Sequence, residues 1–76
     1  MNLAVKTPSA ADRIRGQIEA GGLVEAIAAV DGALESCTCA ERPILLGLKS
    51  LALVSTGQAL EGLRVATQAR ELAAAL

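Results

Sequence analysis

Cys37 and Cys39, separated by Thr38, are the only thiols in a 76-residue chain that has no histidine. Their chemistry is narrow. A disulfide between residues two apart is strained, because the Cα separation and the Cβ directions oppose closure. A structural zinc site takes four ligands, so these two thiolates supply half of one, and only a second chain could complete it. Cu(I) accepts two thiolates. The plain expectation is a pair of reduced cysteines in a turn, partly buried. The acids are Asp12, Asp31 and six glutamates, and the pattern predicts no close buried pair among them. General acid–base work would lack its commonest residue. No phosphate loop and no dinucleotide glycine pattern occurs. The chain is therefore expected to be no enzyme, with no metal and no cofactor.

Charge and composition narrow the partners. Seven basic and eight acidic residues leave a net charge of −1. Arg and Lys are scattered singly, and no aromatic residue is present for bases to stack on. Nucleic-acid binding is not expected. The most apolar stretch, 44–54, is eleven residues long and contains Lys49, whereas a membrane span needs about 20. The first residues lack the charged start and long apolar core of a secretory signal. The expected location is the cytoplasm, with no membrane partner.

The elements follow from the same residues. The chain is 53% hydrophobic, and Ala and Leu carry most of that content. Both favour helix, while strands want β-branched and aromatic residues. The fold class expected is all-α, with about four helices in antiparallel hairpins. Residues 1–8 are expected to be a disordered lead-in, and 9–76 a single helical domain. Ser9 can cap a first helix running to about Ala20, with Asp12 three residues on, near the positive end of the dipole. Gly21-Gly22 ends it. The second helix runs from about Leu23 to Ser36, with Leu23, Ile27, Val30 and Leu34 in one seam and Gly32 opposite. Thr38 with Glu41 reads as a capping box, while Pro43 suits the first turn of a helix. The third helix is placed at about Ala40 to Thr56, and Gly57 ends it. The fourth starts at about Gln58. Gly62, Ala66, Ala69 and Ala73 form a stripe on it with almost no side-chain bulk, which lets another helix approach closely.

Laid over each other at an offset of 36 residues, the second and fourth helices agree. Gly21 falls on Gly57, Glu25 on Glu61, Ala26 on Gly62, Ile27 on Leu63, Val30 on Ala66 and Ala33 on Ala69. The first and third helices match less well, and Ile14 falls on Ser50. A two-helix period of about 34 residues is the tetratricopeptide spacing. Gly21…Glu25-Ala26-Ile27…Val30…Ala33 resembles the second half of a tetratricopeptide motif, as does Gly57…Gly62-Leu63…Ala66…Ala69. The resemblance implies a tetratricopeptide-like array with repeats at 9–42 and 43–76. Every aromatic position of the motif is empty, and Lys49 stands where a large aliphatic belongs.

The third helix points most directly to function. On a wheel of about 100° per residue, Arg42, Lys49 and Thr56 define a polar sector, and Leu46 and Leu53 fall inside it. Ile44, Leu48, Leu51 and Val54 cover the opposite side. Such a helix is buried on several sides. Either it touches neighbouring helices on both flanks, or Leu46 and Leu53 meet another chain. On the fourth helix Val65, Leu72 and Leu76 lie beyond the small-residue stripe, where the first helix offers little to cover them. An uncovered patch of this kind is uncommon on a monomer. The expected function is a non-catalytic protein-binding module, an adaptor or small chaperone. It would hold a partner helix or peptide in an aliphatic groove, as a homo-oligomer such as a dimer or in a hetero-complex. Its candidate partner-binding residues are Leu46, Leu53, Val65, Leu72 and Leu76. The small co-chaperones of bacterial type III secretion are similar in architecture and size. A membrane-surface amphipathic protein is the other alternative, disfavoured by polar faces poor in Lys and Arg.

Overall fold

The structure, a computed structural model, describes residues 9–75. The expected lead-in at 1–8 lies outside the described residues. Those described form four helices and no strand: α1 (Ala10–Glu19), α2 (Leu23–Leu34), α3 (Arg42–Ser55) and α4 (Ala59–Ala75). The all-α hairpin class is observed. α1 with α2 and α3 with α4 make two antiparallel hairpins, and α3 also packs on α1 and α2.

Local signals set the ends. Ser9 caps α1, its hydroxyl accepting from the Asp12 N–H at 3.2 Å. At the other end Gly22 N–H donates to Gln17 C=O and Gly21 N–H to Ile18 C=O, with Gly21 at φ 88°. This is a Schellman close, which needs a left-handed residue just past the helix. The second hairpin repeats it 36 residues on. Gln58 N–H donates to Leu53 C=O and Gly57 N–H to Val54 C=O, again with Gly57 at φ 88°. The paired glycines of the sequence repeat therefore do the same geometric work.

The two signals before α3 are compatible. Thr38 N–H donates to Glu41 Oε1 at 3.0 Å, and Glu41 N–H donates to Thr38 Oγ1 at 3.2 Å. The capping box thus closes the turn ahead of the helix. Pro43 then falls in the first turn of α3, where a missing N–H costs nothing.

Two core clusters meet at α3. Ile14, Ala26, Val30, Leu45 and Leu48 form the first, and Leu46, Leu53, Val65 and Ala69 the second, with Leu34 packed against both. The hairpin α3–α4 is close-packed at Gly62. A Cβ added there would stand 2.6 Å from Val54 Cγ2 and 3.1 Å from the Ser50 carbonyl. Ser50 is buried at this crossing, and its hydroxyl donates to Gly62 C=O at 2.7 Å. The small-residue stripe thus serves the approach of α3, with Gly62 and Ala69 buried in the seam. Gly32, by contrast, is exposed with nothing within 4 Å of an added Cβ. Gly32→Ala should raise unfolding free energy by about 0.5–1 kcal/mol, measured by urea denaturation.

Candidate functional site

Cys37 and Cys39 are the two thiols of the sequence. Both are free. Cys37 is half-buried, and its Sγ–H lies 3.7 Å from the Leu34 carbonyl it donates to, while Cys39 is exposed. Among the described residues no group of three or more His, Cys, Asp or Glu is gathered where a metal ion could sit. Charged groups pair locally: Arg15 with Asp12 on α1, and Arg64 with Glu61 on α4. The hydrogen bond and charge of Glu61 hold the Arg64 guanidinium above its ordinary pKa. Exposed pairs such as these contribute little to stability.

Two residues of the polar sector of α3 reach to α2. Lys49 Nζ lies 2.8 Å from Asp31 Oδ1 on α2, and Arg42 Nη2 donates to the Leu34 carbonyl at 3.0 Å. Leu46 and Leu53 beside them are covered. Leu46 is 5% exposed, Leu53 4% and Val65 4%. The expectation that these three meet another chain is corrected. Within the chain they pack on one another and on Ile27 and Leu34. Leu72 is half-buried against the same cluster. Leu76 lies outside the described residues. The flank that the first helix could not cover is covered instead by α3 and by the two α2 side chains.

The apolar surface left open on α3 is its opposite side. Ile44, Leu51 and Val54 are each about half exposed, at 51, 51 and 50%. Gly47 is exposed between the first two. These four lie three, four and three residues apart, one continuous row on the helix. No charged residue belongs to that row. Val54 lies against Gly62 of α4. α3 thus carries aliphatic side chains on both sides: Leu45, Leu46, Leu48, Ala52 and Leu53 are buried in the core, and Ile44, Leu51 and Val54 remain about half exposed.

A groove of about 950 Å³ adjoins this face. It opens where α1 begins and α2 ends. Ile14, Ala29, Ala33, Cys37 and Leu45 contribute apolar lining, and Arg13, Gln17 and Glu41 contribute polar groups. Ile44 lines it too and so joins groove and row. Small residues on α2 make the groove, because Ala29, Gly32 and Ala33 cannot fill the space between the helices.

The row was readable as apolar from the wheel. What the wheel could not supply was which side faces the neighbours, since it fixes relative angles within one helix only. Gly47 had no distinguishing signal. Among the described residues no helix is long and apolar enough to cross a membrane. Set beside known proteins, the chain matches no family model, no curated protein and no solved structure.

Proposed function

We propose that this chain is a non-catalytic interaction module, a cytoplasmic adaptor or small chaperone that holds another polypeptide against the outward face of α3. One observation carries the reading: the row Ile44, Gly47, Leu51 and Val54 is solvent-exposed, uncharged and backed by a packed core. Exposed aliphatic rows at helical spacing suit a partner helix laid alongside. Their tendency to leave water supplies the attraction, at about 25 cal/mol per Å² buried. No aromatic anchor is present, so affinity depends on aliphatic shape, without the Tyr and Trp of most hot spots. The two stacked hairpins with matching Schellman turns support a tetratricopeptide-like array as the scaffold.

Site-specific photo-crosslinking in cells tests the reading. A benzophenone amino acid at position 51 should yield covalent adducts with polypeptide, and the same group in place of Leu60 should not. Leu60 is 87% exposed on α4 and about 160° around that helix from Gly62. Equal labelling from the two positions, or none from position 51, would sink the proposal.

A further inference from the structure

We infer that the occupant of the outward face is a second copy of this chain, related by a two-fold axis that crosses α3 midway between Gly47 and Leu51. The inference rests on the reading of that face as a docking surface, and it names the partner.

The row is symmetric about its own centre. Ile44, Gly47, Leu51 and Val54 are spaced three, four and three. A two-fold axis perpendicular to α3 at the midpoint sets two copies of the helix antiparallel, with position 47 opposite 51 and position 44 opposite 54. An isologous interface demands this relation: if one residue meets another, the second must meet the first. The chemistry fits the exchange. Nothing lies within 4 Å of a Cβ added to Gly47, so that position is an open hollow. Leu51, one turn on, projects into solvent. Each copy's Leu51 then enters the other copy's hollow at Gly47, and at both ends Ile44 meets Val54.

Area and charge favour a second copy. Ile44, Leu51 and Val54, each about half exposed, leave on the order of 300 Å² of aliphatic surface open, and each side of a standard interface covers about 800 Å², a little over half of it apolar. The row alone thus presents about two-thirds of the apolar area that one side of a standard interface covers. Two identical faces brought together repel only if they carry charge. Here the charged groups of α3, Arg42 and Lys49, are engaged with α2, and none belongs to the row. A core this small gains from association, as small domains commonly do.

Sedimentation equilibrium of the full chain, from micromolar to millimolar, tests this with three variants: Leu51→Glu, Gly47→Gln and Leu60→Glu. Circular dichroism checks that each is helical. Gly47→Gln is chosen because Gln is the better helix former, so it fills the hollow without weakening the helix. The unaltered chain should reach twice the monomer mass. Leu51→Glu and Gly47→Gln should each weaken self-association by at least about tenfold, and Leu60→Glu should leave it unchanged. A chain that stays monomeric at millimolar concentration overturns the inference, as does a dimer indifferent to Gly47→Gln or one equally sensitive to Leu60→Glu. The photo-crosslink at position 51 separates the two claims. Adducts with other polypeptides from a chain that is monomeric in the centrifuge overturn the second copy but leave the docking face standing. No adduct of any mass overturns both.

Discussion

Gly62→Leu should destabilise the chain by about 3 kcal/mol or more, which in a domain of this size approaches loss of the fold. The reason is the crossing of α3 over α4. Even a single added carbon would stand 2.6 Å from Val54 Cγ2, 3.1 Å from the Ser50 carbonyl and 3.3 Å from the Val54 nitrogen. Two of those three neighbours are backbone, so no rotamer change relieves them. The helices must separate, and the Ser50–Gly62 hydrogen bond lengthens with them, leaving a buried hydroxyl in want of a partner. Gly62→Ala is the milder test. There a helix-propensity gain of about 1 kcal/mol opposes the clash, and we expect the clash to prevail. Urea denaturation of both variants checks the order. A Gly62→Ala variant more stable than the original would mean that α3 and α4 are further apart than described.

The second large effect contrasts two leucines on the same helix. Leu45 is 2% exposed in the first core cluster, and Leu51 is 51% exposed on the outward row. Leu45→Ala should cost about 2–5 kcal/mol through lost burial and a residual cavity. Leu51→Ala, measured in dilute solution, should fall within about 0.5 kcal/mol of the original. Sequence spacing alone cannot rank them, since both lie in the same apolar stretch. Equal losses from the two would mean that the outward side of α3 is already covered within one chain.

Much of the scaffold was legible in the residues. Ser9, Gly21 and Gly57 act locally, through hydrogen bonds and backbone angles within a few residues of themselves, so their effect could be read without a fold. The stripe that starts at Gly62 also announced a close helix contact, because absent side chains leave room whatever the neighbour is. The orientation of α3 was not legible. It follows from which leucines find the two core clusters, Leu45 and Leu48 in the first and Leu46 and Leu53 in the second, with Lys49 meeting Asp31 and Arg42 meeting the end of α2 alongside. Without them the polar sector looked like the surface, and Leu46 and Leu53 looked exposed beside it. Ser50 was hidden for the same reason. A serine at the edge of an apolar helix reads as solvent-facing until its carbonyl partner on α4 is known.

That packing leaves Ile44, Leu51 and Val54 outward, the point on which the functional reading turns. Methyl NMR of isotopically labelled Ile, Leu and Val, followed while the concentration is raised, examines it most directly. Signals of Ile44, Leu51 and Val54 should shift together and saturate, while those of Leu60 and of Val24, which is 72% exposed on α2, stay fixed. Contradiction would come from shifts led by Leu60 and Val24 while the three α3 methyls hold still.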